Sequence, residues 1–160
     1  MDVIAVDRKM KEEGLQLDFK KKIQMKLQRK VLPVLQRHLF DSSNKRAVDK
    51  KGNNKKPIRS FVAVAIAKII RKLPIPLFRS QLQKLLNQIV SEGLRSSDVA
   101  IREKARKALV KVLGEVSPRF LQMIFHEMQS NLQRGFHLHV HLYTIHYLLN
   151  HLTGKTASGD

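Results

Sequence analysis

Between Ile101 and Val116 the apolar residues recur every three or four positions: Ile101, Ala105, Ala108, Leu109, Val112, Leu113 and Val116. That spacing lines one face of a helix and fits no strand, whose faces alternate with period two. Arg102, Lys104, Arg106, Lys107 and Lys111 occupy other faces, and Asp98 stands where its carboxylate can cap the helix start. One apolar stripe cannot be buried alone, so the chain must supply partners. Downstream, Ser117 followed by Pro118 signals a new start, and Leu121, Ile124, Phe125, Met128 and Leu132 form the next stripe before Gly135. Upstream, Pro57 fits the first turn of a helix whose Ile58, Phe61, Val62, Ala65, Ile66, Ile69 and Leu73 share a face, ended by Pro74 and Pro76. Phe78, Leu82, Leu85, Leu86 and Ile89 follow, closing at Gly93 as a C-terminal cap.

Superposing the two helical pairs sets Ala65 on Ala108, Ile70 on Leu113, Leu73 on Val116 and Phe78 on Phe120, a period of about 42 to 43 residues. This is the period of HEAT-type hairpins. The expected fold is therefore all-α, a HEAT-type α-solenoid of stacked antiparallel helical hairpins, with small Ala105 and Ala108 letting neighbouring helices approach. The repeats fall at 57–94 and 95–135.

A helix over 15–40 carries Phe19, Ile23, Leu27, Val31, Val34 and Leu35 on one face, and Pro33 is expected to kink or split it. Residues 1–40 thus form an N-terminal helical segment. At 41–56 the composition turns to Ser, Asn, Gly and Lys, which predicts a flexible basic loop; its paired lysines also resemble a two-part nuclear import signal, although lysine-rich loops are common. A fifth helix over 138–152, within an incomplete repeat at 136–153, carries Leu138, Leu142, Ile145, Leu149 and Leu152 on one face and Val140, Tyr143, Tyr147 and Leu148 elsewhere. It is apolar nearly all round and is followed by a polar tail at 154–160, which predicts that the natural protein continues or that this helix docks on something.

Lys and Arg number 31 against 13 Asp and Glu, a formal net charge of +18, far beyond what solubility requires. An anionic partner is implied, and a line of phosphates can neutralise dispersed charges together. The chain has no Cys, which removes thiolate chemistry and disulfides and fits a reducing compartment. No run of about 18 apolar residues marks a membrane span.

Catalytic constellations are nearly absent. The acidic residues are scattered or lie beside basic neighbours, as Glu103 does four residues before Lys107. Gly154-Lys155-Thr156 matches the end of a phosphate-binding loop, but Leu149 stands where the first glycine is needed and no strand precedes it. His137, His139, His141, His146 and His151 concentrate potential metal ligands, with His137 and His141 on one helical face; no Cys, Asp or Glu completes a tetrahedral set, so no metal site is assigned.

The run Pro57-Ile58-Arg59-Ser60 through Ala63, Ala65 to Ile70, Leu73-Pro74, Phe78-Arg79 and Leu82 resembles the C-terminal part of the small-subunit processome component 20 family, also called the down-regulated-in-metastasis family. Arg95-Ser96, Arg102, Ala105-Arg106, Leu109, Lys111 to Gly114, Phe120-Leu121, Glu127-Met128 and Leu132 continue the pattern. So do Arg134-Gly135-Phe136, His139-Val140, Tyr143-Thr144, His146 and Leu148-Leu149. The similarity runs from about Val31 to Leu152, interrupted by the basic loop. It implies a giant nucleolar HEAT-repeat protein that acts with a box C/D guide RNA particle in processing pre-18S ribosomal RNA, and it brings no catalytic residues. His139 and His146 match positions of the pattern, which favours packing or capping over metal binding.

The expected function is a non-enzymatic scaffold in small ribosomal subunit biogenesis, in the nucleus and nucleolus, binding pre-ribosomal RNA and ribosome-assembly proteins, with no cofactor, no small-molecule substrate and no membrane. The phosphate-binding candidates are Lys45, Arg46, Lys50, Lys51, Lys55 and Lys56 in the loop, and Arg71, Lys72, Arg102, Arg106 and Lys107 on the helices. The alternative is a protein-binding HEAT adaptor recognising acidic peptides; a regulatory subunit of an enzyme is a third reading. No aromatic residues interleave with the basic stripe, so base-specific readout is not expected.

Overall fold

A computed structural model describes the backbone of residues 3–40 and 57–157, with side-chain surroundings for 11–40 and 57–154. The described residues are all-α, with no strand beyond one isolated bridge between Phe40 and Ile58. The helices are α1 (Val3–Lys26), α2 (Leu32–Arg37), α3 (Ser60–Ile70), α4 (Ile75–Gln88), α5 (Val99–Val116), α6 (Leu121–Asn131) and α7 (Phe136–Ala157).

Packing alternates along the chain. The most extensive contact is between α3 and α5, and α5 in turn meets α7; α4 meets α6. One continuous core runs from Leu32 to Leu148 through these seams. Every apolar residue that spacing assigns to the faces of α4, α5 and α6 is buried or half-buried, and Asp98 caps α5 by accepting from the Ala100 N–H at 2.8 Å.

The sequence reads the buried face of α3 and its flanks only in part: Ile58, Val62, Ile66 and Leu73 are buried as expected, and Ala65 and Ile69 are half-buried. Phe61 stands outside, 70% exposed, while Val62, Ala63, Ile66, Ala67 and Ile70 face the core. The segment is apolar on almost every side, so spacing alone cannot choose a face; Ala63 and Ala67 are turned inward, where small side chains suit the extensive seam between α3 and α5. α7 is likewise read only in part, for the same reason. Val140, Thr144 and Leu148 are its buried line, and Leu138, Leu142 and Leu149 are exposed. Thr144 is tolerated inside because its hydroxyl donates to the Val140 carbonyl at 2.7 Å. The helix also runs on to Ala157, into the residues that composition reads as polar tail.

The breakers Pro33, Pro57 and Gly93 act in different ways, and only the last two depart from expectation. Pro33 starts the first turn of α2, and the interruption falls before it, in a π-helical turn over Leu27–Val31 where the Leu32 N–H bonds the Leu27 carbonyl. Most of the apolar stripe of this N-terminal segment stays outside, with Phe19 and Ile23 of α1, Val31 of the π-helical turn and Val34 of α2 exposed; Leu32 and Leu39 anchor the segment instead. Burying each stabilises the fold by about 1.5–3 kcal/mol. Pro57 precedes α3 without joining it: Ile58 lies in the bridge to Phe40, and the Arg59 N–H bonds the Leu39 carbonyl at 2.9 Å. Gly93 is no left-handed cap. It is buried within a second π-helical turn, Ile89–Leu94, and a Cβ built on it would meet the Ala105 Cβ at 2.6 Å, so glycine is required there for close approach to α5.

Candidate nucleic-acid interface

The six loop candidates, Lys45, Arg46, Lys50, Lys51, Lys55 and Lys56, lie outside the described residues. The five on helices divide into two kinds. Lys107 is exposed on α5 and lies on one helical ridge with Lys104 and Lys111, at spacings of three and four residues. The expected pair between Glu103 and Lys107 is not made: Glu103 turns to Arg106 at 2.6 Å, which leaves Lys107 without an ion-pair partner among the described residues. Lys111 reaches across to α3, where its Nζ donates to the Ser60 hydroxyl at 3.3 Å.

Arg71 and Lys72 follow directly on α3 and are exposed. Arg71 and Lys68 share Glu115 of α5, at 3.5 and 3.8 Å. Both cross-links advance in the same sense along α3 and α5, from Ser60 to Lys68 and from Lys111 to Glu115, so the two helices run parallel, with Lys111 level with the start of α3 and Glu115 level with its end. The Lys72 carbonyl accepts from Gln24 Nε2 at 2.8 Å, which leaves its ammonium at the surface.

Arg102 and Arg106 are turned into the fold. Arg102 Nη1 donates to the carbonyls of Ser96 and Ser97 at 2.8 and 2.9 Å, and its guanidinium lies 5.9 Å from the Phe136 ring centre. This ties the segment before α5 to the start of α7. Arg106 is only 4% exposed, paired with Glu103 and stacked 4.6 Å from the Tyr143 ring centre. Burial beside an aromatic face and a carboxylate gives it a structural task, and no phosphate can reach it. Sequence spacing cannot separate Arg106 from Lys107, because adjacent helix positions differ only by rotation about the axis.

The histidines do not converge. His139, His146 and His151 are exposed, and among the described residues no group of three or more His, Asp or Glu gathers as a metal site. His137 lies against Phe136, and burial together with Arg95 and Arg102 holds its pKa below the usual imidazole value; burial does the same for His141.

A second basic feature was not legible as a unit. Between α4 and α6 a groove of about 890 Å³ is lined by Arg71 and Arg79 from one side and Arg119 from the other. Arg119 belongs to no helical stripe, and only the fold brings it opposite Arg79.

Residues 49–160 match the U3 small nucleolar RNA-associated protein 20 domain. The chain belongs to this family. The U3 small nucleolar RNA-associated protein 20 of Schizosaccharomyces pombe is 33% identical over 92 residues, 58% of this chain and 4% of that protein. Its namesake in Saccharomyces cerevisiae is 28% identical over 102 residues, 64% of this chain and again 4% of the relative. The matched part therefore spans a small fraction of these curated relatives. Arg102, Arg106, Glu127, Gly135 and Thr144, all part of the resemblance to the family, serve packing, capping and turn formation here.

Proposed function

We propose that this chain is a segment of a HEAT-type α-solenoid scaffold that works, without catalysis, in small ribosomal subunit biogenesis in the nucleolus, holding pre-ribosomal RNA along stacked helices and contacting other assembly proteins. The repeats are 57–94 and 95–135, with 136–153 belonging to the next. Membership of a family whose relatives are named for association with U3 small nucleolar RNA supports the setting. The period of about 42 to 43 residues and the alternate contacts of α3 with α5 and α4 with α6 support the architecture.

The observation that carries the RNA reading is the exposed ridge of Lys104, Lys107 and Lys111 along α5, continued past Glu115 by Lys68, Arg71 and Lys72 at the end of α3, with Glu115 the only carboxylate bound to them among the described residues. A solvated helix face is ordinarily evenly mixed in sign, and this one is predominantly positive. Compact ammonium ions on flexible stems can follow a phosphate backbone without reading bases. The loop candidates from Lys45 to Lys56 add six further basic residues in the sequence ahead of α3. Arg102 and Arg106 are left out of this set because their guanidinium groups are committed to the fold.

Affinity for a structured ribosomal RNA fragment, measured across salt concentrations, tests the reading. Log affinity should fall linearly with log salt, and replacing Lys104, Lys107 and Lys111 by Ser should reduce that slope by about 2–3. An unchanged slope, or the absence of salt-dependent binding by the parent chain, removes RNA from the function of this segment.

A further inference from the structure

The groove between α4 and α6 has a chemistry of its own. Its floor is apolar, with Phe78 and Phe120 packed edge-to-face at 5.0 Å and Met123 beside them. Ile75, 70% exposed, stands at the lip. Arg79 and Arg119 are exposed on the rim and have no ion-pair partner among the described residues, whereas Arg71 is drawn toward Glu115. One wall carries Glu127, only 5% exposed, whose two carboxylate oxygens accept from Gln83 Nε2 at 3.2 Å and Asn87 Nδ2 at 3.1 Å.

We propose that this groove is a docking site for a short linear segment of a partner protein in which an apolar anchor side chain is flanked by Asp or Glu. The volume accommodates an anchor and its neighbours. The rim arginines offer planar forks suited to carboxylates, next to apolar surface that favours Arg over Lys. Two features disfavour nucleic acid inside the groove. Glu127 places negative charge on the wall, which repels a phosphate from the interior. Phe78 is buried and packed edge-to-face against Phe120, so the groove offers no pair of exposed rings between which a base could stack. Charge complementarity thus selects an acidic peptide with its carboxylates at the rim and its anchor over the floor. This inference is independent of the lysine ridge on α3 and α5.

A random linear peptide library displayed on phage, panned against the full chain, supplies the probe, and binding of the enriched peptides is then measured by fluorescence anisotropy. The enriched sequences should share one Leu, Ile, Met or Phe anchor between acidic residues. Arg79→Glu with Arg119→Glu should weaken them by about tenfold or more through like-charge repulsion. Ile75→Glu should weaken them as well, while Lys104→Ser with Lys107→Ser leaves them unchanged. All substituted positions are exposed, and unchanged far-UV circular dichroism and melting temperature confirm that the variants fold. Failure to enrich any such family overturns the proposal, as does equal affinity for the arginine double variant. So does an oligouridylate that binds the parent chain and loses affinity with that same double variant while the peptides do not.

Discussion

Replacing Gly93 with alanine tests how the seam between the end of α4 and α5 is held. In an ordinary helical position the change stabilises by about 1 kcal/mol, because alanine loses less backbone freedom on folding. Gly93 does not take a positive φ, so no left-handed conformation forbids the methyl group. What forbids it is Ala105, whose Cβ would lie 2.6 Å from the new carbon, with its Cα at 3.8 Å. Comfortable carbon contacts begin near about 3.5–4.0 Å, so the two elements must part by about 1 Å. Neither clashing atom sits at the end of a flexible side chain, so the backbones themselves must move. Overpacking of this kind costs about 1–3 kcal/mol. The net expectation for Gly93→Ala is a loss of up to about 2 kcal/mol, read as a lower urea midpoint at unchanged slope by circular dichroism. The decisive measurement is the same substitution in an Ala105→Gly background. There the clash is gone, and Gly93→Ala should become neutral or stabilising, giving a coupling of about 1–3 kcal/mol. Stabilisation by Gly93→Ala alone, or additive effects in the double variant, would refute close approach as the reason for glycine at this position.

Ser117 links α5 to the turn before α6 at φ 128° and ψ 144°, a region that suits glycine, so Ser117→Gly should raise stability by about 1 kcal/mol despite losing the hydroxyl that accepts from the Arg119 N–H; a lower urea midpoint would contradict this. Arg106→Met keeps most of the buried volume but removes the Glu103 pair and the contact with Tyr143, and should cost about 1–2 kcal/mol while changing the near-ultraviolet tyrosine signal; an unaltered midpoint would show that the guanidinium is dispensable. His137 has a lowered pKa in the folded chain, so its contribution to stability is present above its unfolded value of 6.5 and is lost as pH falls through the folded value. His137→Gln should flatten the pH dependence of the midpoint over that window, and identical profiles for parent and variant would remove His137 as its source.

How much could be read from the chain depended on how sharply each segment distinguishes its faces. In α5 lysines and arginines interrupt the apolar residues on every turn, so Ile101 through Val116 declared the buried face, and Asp98 declared its cap. In α3 and α7 apolar residues fill nearly all sides. There the buried line was settled by tertiary packing, through Ala63 and Ala67 against α5 and through Val140, Thr144 and Leu148 against the core. The glycines show the same limit. Gly93 and Gly135 look alike in sequence as punctuation, but Gly135 takes a φ of 59° and Gly93 fills a close approach to a helix that begins after it. The basic candidates were legible as a class and not one by one. Lys107 and Arg106 are neighbours in sequence, yet one is solvated and the other is sealed under Tyr143. The arginine-rimmed groove could not be found from spacing, because Arg79 and Arg119 are 40 residues apart and meet only through the packing of α4 on α6.

The positive excess therefore divides by chemistry as well as by place. A lysine ammonium is strongly hydrated and carries its charge on a flexible stem, so the ridge on α5 can stay in water and still meet phosphates. An arginine guanidinium is planar and more weakly hydrated, and can be carried into or beside apolar surroundings. Arg106 lies in the core against an aromatic ring, Arg102 bonds two carbonyls ahead of α5, and Arg79 and Arg119 border an apolar floor. In the proposed scaffold a formal charge of +18 thus sums groups with different tasks. On that proposal lysines on α5 set the salt dependence of RNA binding, the inward-turned Arg102 and Arg106 help fix how α5 meets α7, and rim arginines select a protein segment. Equal numbers of charges removed from these three groups should then produce three different losses, of slope, of stability and of peptide affinity, although each lowers the net charge alike.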